Sequence, residues 1–273
     1  MRRLRIFFQI AVMAAALVTG FRAAMGWTGT TVETYCPFGG LETAASLFTE
    51  RRFTCVTGER NLALFVALIV LTLLARKSFC SWVCPVGAVS EWLAALGRRF
   101  SLGPRRDAPG ALSGLRPGSF IDRALRSIRI VVLFAILYFT YKTGELVFRG
   151  YDPYYILAGF GAHGITARSY VVLALVLVGS VFVPMSWCRY LCPLGAALWP
   201  FSALGRLRVA RNGDACKSCR ACDRACPQSI LVSAQQEVRS GECTLCFECM
   251  EACPEKGALE LRWPWCGKAA IRK

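Results

Sequence analysis

The 273-residue sequence has few charged residues, very few of them acidic, and a single histidine. Charged residues make up 18% of the chain against 55% hydrophobic residues, a balance that excludes an ordinary soluble domain. Only 17 acidic residues face 33 basic ones, so the formal net charge is +16.

A charge of this size can indicate a nucleic-acid partner, but its distribution argues against one. Residues 212–261 hold five basic and eight acidic residues, so the whole excess lies elsewhere, much of it beside apolar segments. Positive charge in that position is typical of the cytoplasmic face of a membrane protein. We therefore predict a lipid bilayer as a partner and no nucleic acid.

Long apolar runs are also few, and each is near the shortest length that crosses a bilayer. We predict four transmembrane helices, over residues 6–20, 62–75, 128–141 and 170–187. A basic start before an apolar run is also found in cleaved signal peptides, but we expect this one to be retained as the first helix. Residues 76–129 hold ten basic and three acidic residues, which predicts that this loop and both termini are cytoplasmic. The localisation that follows is a bacterial cytoplasmic membrane, with a multi-pass chain.

An internal repeat relates the two helix pairs. Residues 78–88 (SFCSWVCPVGA) align with residues 186–196 (SWCRYLCPLGA), 108 positions later. The shared motif is Cys-x3-Cys-Pro, with Cys80 and Cys84 in the first copy and Cys188 and Cys192 in the second. We predict a transmembrane domain of residues 1–211, made of two helical hairpins that each end in this motif at the inner face.

Cysteine is plentiful, and its strongest pattern is a run of Cys-x2-Cys-x2-Cys-x3-Cys-Pro that occurs twice, 27 residues apart. In bacterial ferredoxins with this spacing, three cysteines bind one [4Fe–4S] cluster and the fourth binds the other cluster. Two zinc sites or a disulfide-bonded module are alternatives, but zinc needs neither the third cysteine nor a crossing fourth. The predicted ligand sets are Cys216, Cys219, Cys222 and Cys253 for one cluster, and Cys243, Cys246, Cys249 and Cys226 for the other.

These runs predict a small α+β domain of the bacterial 2[4Fe–4S] ferredoxin type over residues 212–261, followed by a tail of residues 262–273. The predicted fold class is therefore a membrane all-α domain, with four transmembrane helices as two repeated hairpins, plus this ferredoxin domain. Because cluster ligands are thiolates, we expect the ferredoxin domain to face the reducing cytoplasm.

The two Cys-x3-Cys pairs allow three interpretations. Cysteines four positions apart lie on one face of a helix, so each motif presents two thiols together. They can be small residues packed at a helix end, four ligands of a third cluster or a metal ion, or a reversible dithiol pair. The spacing of Cys80, Cys84, Cys188 and Cys192 leaves these interpretations open.

The Cys-x3-Cys-Pro motifs and the two ferredoxin runs together resemble the membrane-bound ferredoxin-type proteins of the NapH, NosR and CcoG-like group, with NapH nearest in layout. The resemblance extends from the first predicted span to about residue 261. It implies four transmembrane helices, cytoplasmic cluster domains and electron transfer connected with the quinone pool.

The resemblance leads us to expect a membrane iron–sulfur protein that links the quinone pool, by quinol oxidation, to other redox subunits such as a ferredoxin, a cytochrome or a reductase. Such a protein is an oxidoreductase component of a larger complex. The alternative is a redox-active maturation factor, in which Cys80, Cys84, Cys188 and Cys192 handle a metal or a disulfide for a respiratory enzyme.

The predicted outer loops hold the remaining candidates. His163 has a side chain whose pKa suits proton transfer from a quinol, although a lone histidine is more often a solvated loop residue. Asp152 is a second candidate for this catalytic role. Cys36 and Cys55 lie 19 residues apart on the oxidising side and are either a disulfide or two unrelated cysteines.

Overall fold

The fold is known from a computed structural model, which describes residues 1–26, 38–41, 43–44, 58–100, 120–143, 147–158 and 166–263. Four long helices fall where the four apolar runs predict them. They are α1 (Arg2–Ala24), α2 (Gly58–Ala75), α5 (Phe120–Thr143) and α7 (Ala167–Phe182). Among the described residues, Arg2–Arg22 and Phe120–Thr143 are long and apolar enough to cross a bilayer, and Ala167–Phe182 is a shorter apolar helix. Crossing by all four helices stays a prediction.

Short helices carry the repeated motif in the same order in both halves. In the first half, α3 (Ser78–Trp82) leads into α4 (Pro85–Arg99), and in the second half α8 (Ser186–Tyr190) leads into α9 (Pro193–Ala197). The junction residues have matching dihedrals, with φ −67° and ψ 119° at Cys84 and φ −66° and ψ 113° at Cys192. A proline follows each junction and fixes the φ of the first helical residue, where no N–H is needed.

The described part of the second predicted outer loop folds into the helical core. It contains a 3-10 turn (Val147–Tyr151) and α6 (Pro153–Ala158), which packs on α7 and α4. The ring of Phe148 lies 4.8 Å from that of Phe38 and stacks on Trp187 at 6.3 Å, measured between centroids. Segments from both predicted outer loops therefore share one apolar core with the Cys-x3-Cys segments.

A short helix, α10 (Trp199–Ala203), connects the helical part to a C-terminal module, residues 208–262. The module contains β1 (Arg208–Arg211), α11 (Ala221–Ala225), α12 (Glu248–Glu251) and β2 (Leu259–Arg262). The two strands pair antiparallel, with Arg208 opposite Arg262 and Arg211 opposite Leu259. The module has its own apolar core, which includes Val209, Ile230 and Leu245, and it begins four residues before the predicted boundary at 212.

Candidate metal centres

Two cysteine loops, residues 216–222 and 243–249, dominate the C-terminal module. Ser218 (φ 54°) and Arg220 (φ 56°) in the first loop match Leu245 (φ 47°) and Phe247 (φ 61°) in the second, 27 positions later. Left-handed conformations at residues other than glycine are uncommon. Alternating right- and left-handed residues turn successive N–H groups into one concavity, which suits anionic sulfur. Both loops are therefore folded in the same way around a central space.

The fourth cysteine of each run lies beside the other loop, as the ferredoxin spacing predicts. Burial, followed by the nearby Cys226, raises the pKa of Cys246 to about 12. A cavity in the module is lined by Cys226, Cys243, Cys246 and Cys249 together with apolar side chains such as Val209 and Ile230. This lining supplies the donors that one [4Fe–4S] cluster requires, so the residues fit that group.

The first loop has the complementary arrangement and is more open. Burial raises the pKa of Cys222, and the nearby Cys253 contributes to this shift, so these two thiols are also neighbours. Cys219 is exposed and Cys216 is half-buried, with Arg211 Nη1 3.7 Å from the Cys216 sulfur. The two loops therefore differ in their access to solvent.

The repeated motifs bring Cys80, Cys84, Cys188 and Cys192 together, a set that we call the four-thiol site. Burial raises the pKa of Cys188, and the next largest contributions come from Cys192, Cys84 and Cys80. Cys80 and Cys188 are buried, while Cys84 and Cys192 are half-buried. The Cys192 sulfur accepts a hydrogen bond from the Gly195 N–H at 3.4 Å. The pairwise charge interactions mean that the two halves of the repeat place their thiols in one region.

Single-ion geometry is not found at either kind of site. In the part of the chain that the structure describes, no group of three or more His, Cys, Asp or Glu side chains is arranged to hold one metal ion.

The first Cys-x3-Cys segment rests on the second cysteine loop. The Lys77 N–H lies 3.4 Å from the Cys243 carbonyl, the Ser81 hydroxyl donates to the Thr244 carbonyl at 2.8 Å, and Trp82 Nε1 donates to the Leu245 carbonyl at 3.0 Å. Three consecutive carbonyls of the loop are thus bound by one short helix and the residue before it.

The second Cys-x3-Cys segment contacts the chain just after Cys226. Arg189 Nη1 donates to the Ser229 hydroxyl at 2.6 Å, and Gln228 Nε2 lies 3.2 Å from the Met185 sulfur. Cys226 is the crossing ligand predicted for the second loop. Both halves of the helical part therefore contact the polypeptide around the same predicted cluster.

Buried ion pairs hold these surfaces together. Glu242 accepts from Lys77 Nζ at 3.0 Å and from Arg129 Nη1 at 2.8 Å, and Arg129 Nη2 binds its other oxygen. Burial alone would raise the pKa of Glu242, but the hydrogen bonds and charges of Arg129 and Lys77 outweigh it and lower this pKa to about 2. Asp122 binds Arg189 Nη2 at 2.5 Å and the Tyr190 hydroxyl at 2.9 Å.

Sequence reasoning missed these acids. For Asp122 the available signal was an isolated carboxylate in the strongly basic segment 76–129, whereas Glu242 is one of eight acidic residues in 212–261 and gave no such signal.

Of the candidates for proton transfer and for a disulfide, the structure describes Asp152 alone. Asp152 is only 6% exposed, and its carboxylate accepts from the Tyr154 N–H at 3.0 Å. Burial and the nearby Cys80 raise the pKa of Cys192 to about 12, and Asp152 contributes to this shift. Asp152 therefore lies close to the four-thiol site. His163, Cys36 and Cys55 lie outside the described residues, and their predicted roles stay predictions.

Family profiles match both parts of the chain. A 4Fe-4S dicluster domain profile matches residues 208–254, which include all but the last strand of the C-terminal module. A second profile, a 4Fe-4S binding domain, matches residues 57–103 and 166–210, the two segments that carry the Cys-x3-Cys-Pro motifs.

Curated relatives cover much of the chain. An uncharacterized protein of Methanocaldococcus jannaschii is 33% identical over 202 residues, which are 74% of this chain and 79% of that protein. YccM of Escherichia coli, assigned to electron transport, is 31% identical over 88% of this chain and 66% of its own length. The ferredoxin-type protein NapH of Escherichia coli is 28% identical over 71% of this chain and 66% of its own length. The chain belongs to the NapH- and NosR-like group of ferredoxin-type proteins.

Membership of this group confirms the resemblance seen in the sequence. As a member, the chain contains 4Fe-4S ferredoxin domains, and its ferredoxin-type relatives support a role in iron–sulfur electron transfer. It covers slightly less than two thirds of the length of YccM and of NapH. No solved structure matches the chain.

Proposed function

We propose that this protein is an integral membrane component that links the quinone pool to a redox partner through two [4Fe–4S] clusters. The observation that carries the proposal is the contact of both Cys-x3-Cys segments with the polypeptide around Cys226 and the second cysteine loop. The proposed holders are Cys216, Cys219, Cys222 and Cys253 for one cluster, and Cys243, Cys246, Cys249 and Cys226 for the other. When bound, such clusters supply one-electron storage and transfer.

The surroundings of the loops support different roles for them. The second loop packs against α3, where Thr244 and Leu245 are buried and the carbonyls of residues 243–245 are fixed by hydrogen bonds. The first loop is open at Cys219 and is flanked by Lys217, whose side chain is 73% exposed. The chain therefore presents one loop to the membrane part and one to a soluble partner.

The membrane placement is supported by exposed apolar faces. Phe7, Val131, Phe134 and Leu175 lie on α1, α5 and α7, and each is at least 65% exposed. Monomeric soluble proteins rarely leave such wide apolar faces in water, whereas lipid covers them without cost.

Iron and sulfide analysis with EPR tests the cluster content. Two clusters require about eight irons per chain, and the reduced protein should show two interacting centres. Cys226→Ser should damage the centre otherwise held by Cys243, Cys246 and Cys249, because its fourth ligand crosses between the runs. Zinc alone, or four or fewer irons in intact material, would contradict the proposal.

Reporter fusions test the topology. A reporter after Lys273 and another within 101–119 should both score cytoplasmic, because residues 76–129 hold ten basic and three acidic residues. A reporter near Gly58 should score external. A cytoplasmic score near Gly58 would overturn the arrangement with four membrane spans.

The second candidate function is a maturation factor that handles a metal or a disulfide. The observation that favours it is the assembly of the four-thiol site from both halves of the repeat. Under the first function, the four thiols would instead form a redox or metal station between the membrane part and the two clusters. Cys80→Ser and Cys188→Ser should then each block quinone-linked electron transfer while both ferredoxin EPR signals persist. Normal turnover in the double variant would assign the four thiols to packing, since serine is close to cysteine in size. Copper or zinc bound at the four thiols would favour the maturation role.

A further inference from the structure

Arg76 is a buried cation at the junction between the helical part and the C-terminal module. It is the residue after α2, it is 0% exposed, and its backbone is left-handed with φ 54°, which is uncommon outside glycine. Its Nε donates to the Leu207 carbonyl at 3.0 Å, and its Nη1 donates to the Ser240 carbonyl at 2.8 Å. A Cβ at Gly205 would lie 2.6 Å from Arg76 Cγ, so a glycine there lets the arginine stem pass. The position of the guanidinium is therefore fixed by several neighbours.

Arg76 differs from the other buried cations in having no carboxylate partner. In the part of the chain that the structure describes, five cationic side chains are buried. Four of them form ion pairs, namely Arg5 with Glu91 and Glu248, Lys77 and Arg129 with Glu242, and Arg189 with Asp122. Arg76 binds only carbonyls, and its Nη2 has no hydrogen-bond partner among the described residues. A buried charge without a counter-charge is costly, so its presence indicates an anion close by.

The second cysteine loop lies next to this guanidinium. Ser240, whose carbonyl binds Arg76, is three residues before Cys243, and the Lys77 N–H lies 3.4 Å from the Cys243 carbonyl. Burial lowers the pKa of Arg76, and the nearby Cys243 opposes this shift. Burial raises the pKa of Cys243, and the Leu245 N–H and the charge of Arg76 oppose that shift in turn. Arg76 is therefore within electrostatic reach of a predicted cluster ligand.

Arg76 acts on the loop through its charge, because it is not among the residues that line the cavity of the loop. A [4Fe–4S] cluster with four thiolate ligands is an anion, and one-electron reduction makes it more negative. A fixed cation nearby stabilises the reduced form more than the oxidised form, which raises the reduction potential. Such an effect is strong where solvent does not screen the charge, as at a side chain that is 0% exposed.

The first cysteine loop has a cation in a different setting. Arg211 Nη1 lies 3.7 Å from the Cys216 sulfur, but Arg211 is only half-buried and the neighbouring Cys219 is exposed. Water and mobile ions reach this loop and screen the charges around it. The two loops therefore differ in their electrostatic surroundings, and the buried, uncompensated cation lies beside the second loop.

We propose that Arg76 is the charge-compensating residue of the second cluster and that its guanidinium raises the reduction potential of that cluster. The inference rests on the proposed function, since it requires the cluster assigned to Cys226, Cys243, Cys246 and Cys249. Reduction moves one electron from a one-electron donor to the cluster, and no bond forms or breaks. Arg76 keeps its proton throughout, because a guanidinium does not deprotonate in proteins. It is a positioning residue for charge and does not itself exchange electrons.

The test is a redox titration of the cluster-loaded, full-length protein in detergent, with dithionite as the reductant and EPR as the signal. Arg76→Gln removes the charge and keeps an N–H donor for the two carbonyls. At a fixed potential we expect the ratio of reduced to oxidised second centre to fall at least about tenfold, a midpoint lower by about 59 mV. The first centre should change less and is the internal reference. Cys216→Ser, which alters the spectrum of the first centre, identifies the two signals.

Two further variants separate charge from hydrogen bonding. Arg76→Lys keeps the charge with fewer donors, and we expect its ratio to stay within about threefold of the wild type. Arg208→Gln is the matched control, because Arg208 is an arginine near Arg76 whose side chain is 26% exposed and pairs with Glu237 at 3.7 Å. Solvent already screens that charge, so we expect a change within about twofold.

Each outcome decides the role of Arg76. A wild-type midpoint for the second centre in Arg76→Gln would overturn the inference and leave the proposed function intact. Equal shifts in Arg76→Gln and Arg76→Lys would also overturn it, since they would assign Arg76 to hydrogen bonding. Loss of the second cluster in Arg76→Gln but not in Arg76→Lys would support it, whereas loss in both would overturn it. A wild-type protein that holds no second cluster would instead overturn the proposed function.

Discussion

Glu242→Gln is expected to lower the free energy of unfolding by about 3–5 kcal/mol, because it leaves two buried cations without a counter-charge. The side chains of Lys77 and Arg129 are only 4% and 5% exposed, and both bind the Glu242 carboxylate. Lys77 is joined to α3 and Arg129 belongs to α5, so the loss should separate the C-terminal module from both halves of the helical part. The change in the free energy of unfolding is measured by denaturant titration of the cluster-loaded protein in detergent, with the visible absorbance of the clusters as the signal.

Glu237→Gln is the matched control. Glu237 also pairs with three arginines, at 3.7 Å for Arg208, 3.7 Å for Arg239 and 3.2 Å for Arg262, but its side chain is 26% exposed. Partly solvated pairs of this kind contribute about 1 kcal/mol or less. If both variants lowered the free energy of unfolding equally, the buried Glu242 network would contribute no more to stability than the partly solvated pairs of Glu237.

Gly87→Ala is expected to force apart α3 and the start of α4, which pack closely in the first Cys-x3-Cys motif. A Cβ at Gly87 would lie 2.0 Å from the Cys80 carbonyl oxygen, a backbone atom that cannot move aside without shifting α3. Overpacking in a core typically costs about 1–3 kcal/mol, and this contact is at the severe end of that range. Alkylation of Cys80 and Cys84 in the folded protein measures the effect, which should be faster thiol labelling and a lower yield.

The equivalent glycine of the second half gives the comparison. A Cβ at Gly195 would lie 3.2 Å from the Cys188 carbonyl oxygen, a distance that a small shift can relieve. We expect Gly195→Ala to label at close to the wild-type rate. Similar labelling of both variants would mean that the close approach at Gly87 is not required.

The elements that are read from local patterns could be predicted from the sequence. The four apolar runs predict α1, α2, α5 and α7, since burial or lipid contact must cover those residues. Cysteine spacing predicts two cysteine loops with a crossing Cys226, because the spacing itself is imposed by the shape of a cluster. The 108-residue repeat predicts the matching turns at Cys84 and Cys192, because similar local sequences adopt similar local structure.

The interface between the two parts could not be predicted from the sequence. Glu242 lies 165 residues from Lys77 and 113 from Arg129, so no local spacing relates them. A single carboxylate in a basic chain is usually solvated, and only the fold decides that Glu242 and Asp122 are buried. Asp152 was expected in an outer loop, yet it lies in the core near Cys192. Such placement depends on tertiary packing, which the periodicity of the sequence does not reveal.

Arg5 joins the beginning of the chain to Glu248, 243 residues later. Ribosomes add about 5–20 residues per second, so about 12–50 seconds separate the synthesis of these two partners. During that interval the guanidinium of Arg5 is solvated by water or lipid headgroups, and of its two carboxylate partners only Glu91 has been synthesised. Helix α1 therefore completes its contacts only after the second cysteine loop has been made, and an error in that loop disturbs a residue synthesised 243 positions earlier.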